Sequence, residues 1–212
     1  MKIAVIGANG KAGSLIVREA LERGHEVTAI VRNTSKVNET KVNILEKDLF
    51  HLTADDLKVF DVVVNAFNAA PGEEGLHVTA GKVLMKALEN NLNTRLIVVG
   101  GAGSLFLDEE KTLRLYDTPD FPEAYLATAK NMGKNLIELQ STSGMRWTYI
   151  SPSAFFDPQG KRTGNYLSGK DQLMLNSAGQ SYISYADYAI AVLDEIENPK
   201  FINERFTVVS EG

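Results

Sequence analysis

Short apolar runs rich in β-branched residues alternate along this chain with longer segments whose apolar positions recur every three or four residues. Lys2–Ile6 and Val27–Val31 are apolar on consecutive positions, the pattern of strands buried on both faces of a parallel sheet. Between them, Lys11–Arg23 carries Ala12, Leu15, Ile16, Ala20 and Leu21 at helical spacing, and Gly24 is placed to end that helix in the left-handed conformation. The alternation then repeats. Val42–Leu45 predicts a strand, Thr53–Lys58 a short helix capped by Thr53, and Val62–Asn65 a strand. Leu76–Asn91 predicts a helix, Arg95–Val99 a strand, Pro122–Ser141 a helix opened by its proline, and Trp147–Ser151 a strand. Tyr185–Glu197 reads as a helix stopped by Pro199, and Arg205–Val209 as a last strand. This order implies βαβ units: an α/β, Rossmann-like, doubly wound parallel sheet with helices on both faces, forming one domain over residues 1–212.

Two stretches break the pattern. Gly101–Phe121 exceeds the usual connection length and carries the acids Asp108, Glu109 and Glu110. Pro152–Ser184, with glycines at 160, 164, 169 and 179, reads as a small irregular substrate subdomain, inserted at residues 152–184. A β-ribbon is expected in it around Asn165–Leu167 and Leu173–Leu175. Both stretches follow the C-terminal ends of strands, where ligands sit in open α/β sheets.

Composition narrows the function classes. Hydrophobic residues make up 44% and charged residues 23%, ordinary for a soluble globular chain. A net charge of −5 argues against a nucleic-acid-binding face, and no apolar run could span a bilayer. There is no cysteine, and His25, His51 and His77 stand far apart, so neither thiolate chemistry nor a metal is expected. Lys2 leads directly into a strand pattern rather than a secretory signal. The expectation is a cytoplasmic monomer or homodimer acting on a small molecule.

The candidate chemistry begins at Gly7-Ala8-Asn9-Gly10-Lys11-Ala12-Gly13, between the first strand and the first helix. Each glycine has a physical task there. Gly7 permits the tight turn, Gly10 lets the backbone approach a pyrophosphate, and Gly13 lets the helix lie close to the sheet. Asn9, Lys11 and Ala12 would line the same anion site, which uses the free N–H groups of the helix start. NAD-selective sites place an acid at the end of the second strand. This chain has Arg32-Asn33 there and no acid until Glu39. A guanidinium can hold a 2′-phosphate with paired hydrogen bonds and stack on adenine, so NADP(H) is favoured over NAD(H). Asp48 and Leu49 follow the third strand, towards the adenine. Ala66, Phe67 and Asn68 follow the fourth and Gly101 and Ala102 the fifth, along the ribose and nicotinamide side.

Carbonyl reductases on this kind of scaffold use a Tyr and a Lys four residues on, which share one helix face. Here the relevant helix reads Tyr125-Leu126-Ala127-Thr128-Ala129-Lys130, a spacing of five that separates the pair by about 140°. A literal match, Tyr166-Leu167-Ser168-Gly169-Lys170, falls in the glycine-rich segment where a helical pairing is not expected. Without the dyad, a flavin or quinone-like acceptor fits better, because its ring delocalises the incoming charge and solvent can supply the proton. Candidate acceptor contacts are Ser104 after the fifth strand and Ser153, Phe155 and Phe156 after the sixth. Flavin would then be a substrate rather than a tightly held cofactor.

The Gly7–Gly13 loop, Val99–Ser104, Trp147-Thr148-Tyr149-Ile150-Ser151-Pro152-Ser153, Gly160–Tyr166 and Ile183-Ser184-Tyr185-Ala186-Asp187-Tyr188-Ala189-Ile190-Ala191 occur here in order. In this the chain resembles the bacterial NADH-flavin reductases, atypical short-chain dehydrogenase/reductases close to the NmrA-like and biliverdin-reductase-B proteins. The resemblance implies an NAD(P)-binding protein that reduces flavins or quinones. Biliverdin-reductase-B proteins carry a histidine where this chain has Ser153, which argues against a tetrapyrrole substrate. Asp187 is expected to cap or buttress its helix. The expected function is therefore an NADPH-dependent reductase of a flavin or quinone-like acceptor. The alternative is a non-catalytic NADP(H)-binding redox sensor acting through a protein partner.

Overall fold

Five helices and ten strands carry the chain in the computed structural model, which describes residues 1–37 and 39–211. The strands are β1 (Lys2–Ile6), β2 (Glu26–Val31), β3 (Asn43–Glu46), β4 (Val62–Asn65), β5 (Arg95–Val99), β6 (Arg146–Ser151), β7 (Phe155–Asp157), β8 (Tyr166–Gly169), β9 (Tyr182–Ser184) and β10 (Glu204–Ser210). The helices are α1 (Lys11–Glu22), α2 (Ala54–Leu57), α3 (Leu76–Ala87), α4 (Glu123–Gln140) and α5 (Tyr185–Glu197). Eight strands form one sheet in the order β3-β2-β1-β4-β5-β6-β10-β8, and all neighbours are parallel except β8, which runs antiparallel to β10. Among the described residues no helix is long and apolar enough to cross a membrane.

The sheet reverses its winding between β1 and β4. From β1 the chain moves outward through β2 and β3, then crosses back to β4, β5 and β6. That reversal opens a crevice at the carboxyl ends of β1 and β4, where Ile6 lies beside Asn65. The two-residue period of a strand divides the core between the two faces. Ile3 and Val5 of β1 pack with Ile16, Ala20, Leu193 and Ile196 of α1 and α5, whereas Ala4 and Ile6 pack with Leu84, Leu88, Leu136 and Leu139 on the α3–α4 side. Each such fully buried Leu or Ile contributes roughly 1.5–3 kcal/mol. β3 differs from the other parallel strands: Asn43, Ile44 and Glu46 are exposed, as suits the edge of the sheet.

The expected ribbon in the inserted segment does not form. Tyr166–Gly169 pairs instead with β10, Tyr166 opposite Ser210 and Gly169 opposite Thr207, and so closes the main sheet. Leu173–Leu175 stays in a loop, tied by the amide of Leu173 to the carbonyl of Phe106. The insertion's own pairing is between β7 and β9, a two-stranded parallel sheet with Phe156 opposite Ile183.

Candidate functional site

The glycine loop forms one wall of the crevice. Gly7 has a φ of +74°, and a Cβ there would lie 2.5 Å from the carbonyl oxygen of Ala66. The loop therefore turns in direct contact with the exit from β4. The amide of Gly10 donates to the Gly7 carbonyl (2.8 Å), and the first helical bond of α1 runs from Ser14 to Gly10 (2.9 Å). The amides of Lys11, Ala12 and Gly13 precede that bond and are left for an outside partner. α1 has no side-chain cap and no acid in its first turn, so its own first turn leaves the positive end of its dipole without a negative charge. A Cβ added at Gly13 would overlap the Gly7 carbonyl, whereas one at Gly10 would meet only that oxygen, at 3.1 Å. The backbone around Gly10 is thus bare towards the crevice, and this cradle fits a diphosphate.

Around the cradle, Asn9 and Lys11 are exposed, and so is Arg32, the first residue after β2. The first acid past β2, Glu39, is held by Arg18 at 3.4 Å. Asp48 caps a short turn by accepting from the Phe50 amide (2.9 Å), while Leu49 is buried in the core beneath. The Ala66 amide donates to Ile6 (3.0 Å) and the Phe67 amide to the Asn65 side chain (3.2 Å), which fixes the loop where a ribose would run. Asn68 is exposed. The Phe67 ring meets Phe50 and His77 edge-on, each with centroids 5.7 Å apart. His77 is buried, and its Nε2 accepts a long 3.5 Å contact from the Ala69 amide. Burial lowers its pKa, against a smaller opposing effect of Glu74. Neither Phe50 nor His77 stands in a motif, so pattern reading had no signal for them.

Past the end of β5, the half-exposed Gly101–Ala102 segment is held from below. Tyr149 accepts from the Gly101 amide and donates to the Met132 carbonyl, both at 3.3 Å. Burial pushes this phenol up to about 12. Ser104 and Ser153, expected at the acceptor, are both buried and have internal partners. Arg205 Nη1 donates to the carbonyl and the hydroxyl oxygen of Ser104 (3.0 Å each), and Ser153 donates to the Val208 carbonyl (2.7 Å). The expectation that these serines touch the acceptor gains no support from their placement. Arg205 also donates to Asp171 through Nε (2.9 Å), so one buried guanidinium joins the two long segments. The phenylalanines differ. Phe155 is 60% exposed beside Tyr182, and Phe156 is half-buried against Tyr185 and Tyr188, with centroids 3.8 and 4.8 Å away.

Tyr125 and Lys130 are both exposed on α4. Tyr166 and Lys170 serve different partners: the phenol donates to Asp194 (2.8 Å) and the ammonium to Glu204 (2.8 Å). Asp187 is fully buried and accepts from the Thr163 amide and hydroxyl, the Gly164 amide and the Ser210 hydroxyl, a buttress rather than a reacting group. A cavity of about 400 Å³ lies outside the crevice, behind α5. Its carboxylates are already bound, Asp194 by Arg23 and Tyr166 and Glu195 by Arg95.

Comparison with known proteins agrees with this geometry. A family model described as NAD(P)H-binding matches residues 7–199. The chain is 66% identical, over the full length of both, to YwnB of Bacillus subtilis (strain 168), a protein of uncharacterised function. A proposed NADH-flavin reductase from Streptococcus pneumoniae TIGR4 is 47% identical over 100% of both chains and superimposes with a TM-score of 0.95. A proposed epimerase from Bacteroides thetaiotaomicron is 37% identical, with a TM-score of 0.86 over 100% of this chain and 97% of its own.

Proposed function

Because this chain belongs to the NAD(P)H-binding family, we propose that it is a reductase that uses NADPH to reduce a flavin or quinone-like acceptor. The bare helix start at Gly10–Gly13, with its three free amides, carries the dinucleotide half of this reading. It supports a diphosphate there with no acid to repel it. Arg32 supports the phosphorylated cofactor, as an exposed guanidinium at the strand end where an NAD-selective site would place an acid. Asn9, Lys11 and Ala12 complete the anion site, with Ala66, Phe67 and Asn68 along the ribose and Gly101 and Ala102 beside the nicotinamide.

The bound dinucleotide supplies a hydride and the electron pair it carries. The protein's part is to hold two flat rings at reacting distance and to exclude water between them. The Tyr149 bridge fixes the floor at Gly101, and the Arg205 clamp fixes the two segments that enclose the acceptor. Phe155 and Phe156 supply an aromatic wall suited to a planar conjugated ring.

The test is NADPH oxidation by the purified protein with FMN as acceptor, beside NADH and an Arg32→Ala variant. Turnover is expected with NADPH, and the variant should lose the preference over NADH by roughly 10- to 100-fold, the worth of a charge-assisted pair. Tight NADPH binding with no turnover above the uncatalysed rate would sink the reductase reading and leave a redox sensor.

A further inference from the structure

Seven tyrosines occur in the chain, and five of their hydroxyls have protein partners. Tyr116 accepts from Arg114, Tyr149 bridges Gly101 and Met132, and Tyr166 donates to Asp194. Tyr182 donates to Asp157, and Tyr188 to the Ile150 carbonyl. Among the described residues, the hydroxyls of Tyr125 and Tyr185 have none. Tyr125 is 66% exposed and needs none. Tyr185 is only half-buried, so its unpaired hydroxyl faces a space that water or a ligand must fill.

Two contacts place that space. Tyr188 reaches the Ile150 carbonyl near the end of β6. Tyr185 lies three residues earlier on the same face of α5, one turn closer to the helix start, and so stands beyond the strand end. Its ring packs on Phe156, with centroids 3.8 Å apart. Burial first, and then Tyr125, raise its pKa, so the phenol keeps its proton at neutral pH.

Resting on the reductase reading above, we propose that Tyr185 grips the acceptor: its ring extends the Phe156 wall, and its hydroxyl donates a hydrogen bond to the acceptor atom on which negative charge gathers. In the transfer, a C–H bond of the dihydronicotinamide breaks and its electron pair moves with the hydrogen to the acceptor. The donor is oxidised, and the acceptor is reduced and left with one negative charge. Tyr185 shares its proton with that charge without giving it up, and solvent supplies the proton that completes the reduction.

The experiment compares the wild-type chain with Tyr185→Phe and Tyr185→Ala, with FMN as the probe. Measured are kcat and KM at saturating NADPH, the FMN dissociation constant from flavin fluorescence without nucleotide, and the melting temperature as a folding control. Tyr185→Phe keeps the ring, so it should lower kcat about 10- to 100-fold while FMN binding stays within about threefold. Tyr185→Ala should also weaken FMN binding by about tenfold or more. A Tyr185→Phe kcat within about twofold of wild type overturns the proposed hydrogen bond. If wild type binds NADPH yet turns over no flavin, the reductase reading fails by itself and the FMN titration still decides the assignment. Binding weakened in Tyr185→Ala keeps Tyr185 as the acceptor contact, and FMN that binds wild type no better than Tyr185→Ala overturns it.

Discussion

Replacing Gly10 with alanine separates the loop's structural role from its binding role. Gly10 has φ −77° and ψ 169°, an extended conformation open to any L-residue. The added Cβ would meet a single atom within 4 Å, the Gly7 oxygen at 3.1 Å. Alanine at a helix N-cap costs about 1 kcal/mol relative to a good cap, and the stiffer unfolded chain returns roughly 0.4–1 kcal/mol of that. The melting temperature should therefore shift by less than about 4 °C for a chain of this size. Binding should suffer far more, because the methyl occupies the approach to the Lys11, Ala12 and Gly13 amides. Loss of one charge-assisted hydrogen bond is worth about 1.5–3 kcal/mol, or a roughly 10- to 100-fold rise in the NADPH dissociation constant. Nucleotide fluorescence titration beside thermal melting reads both quantities. Gly13→Ala is the contrast: its Cβ overlaps the Gly7 carbonyl, so the backbone must shift, at about 1–3 kcal/mol of stability. A Gly10→Ala protein that melts like wild type and binds NADPH equally well would refute the cradle.

Two further outcomes follow from buried charge. Glu195 and Arg95 are each 3% exposed in their side chains and paired at 3.2 Å, and Glu195 also receives the amides of Lys200 and Phe201. Glu195→Ala strands the guanidinium and should cost about 3–5 kcal/mol in chemical denaturation; a loss below about 1 kcal/mol would contradict that reading. His77 has a folded pKa below its unfolded value, chiefly through burial. Its contribution is therefore complete above about pH 6.5 and lost as pH falls towards the folded value. Melting temperatures between pH 8 and 5 should fall more steeply for wild type than for His77→Phe, and parallel curves would disprove the assignment.

The sheet and the glycine loop were legible in the sequence because both rest on local signals. Consecutive β-branched residues marked β1 and β2, and the glycine spacing needed only the strand before and the helix after it. β8 was not legible. Its residues Tyr166-Leu167-Ser168-Gly169 are partly or fully exposed and show no burial pattern, and the strand exists because β10 offers an unpaired edge. Leu173–Leu175 looked more like a strand, yet the structure ties it to Phe106 through an isolated bridge at Gln172. The surroundings of the serines were not legible for a similar reason. Ser104 and Ser153 follow strand ends as substrate contacts do, but their partners, Arg205 and Val208, lie 101 and 55 residues away. No spacing rule spans that distance.

The placement of β10 has a consequence in time. This last strand lies between β6 and β8, and through Arg205 and Val208 it supplies partners of Ser104, Ser153 and Asp171. As the chain leaves the ribosome from its N-terminus, β1, α1 and β2 can come together while residues beyond 150 are still unmade. β8 and the arginine clamp must wait for residues 204–210. Synthesis thus completes the glycine loop and the helix start behind it first, and the buried clamp that ties the two long segments together last.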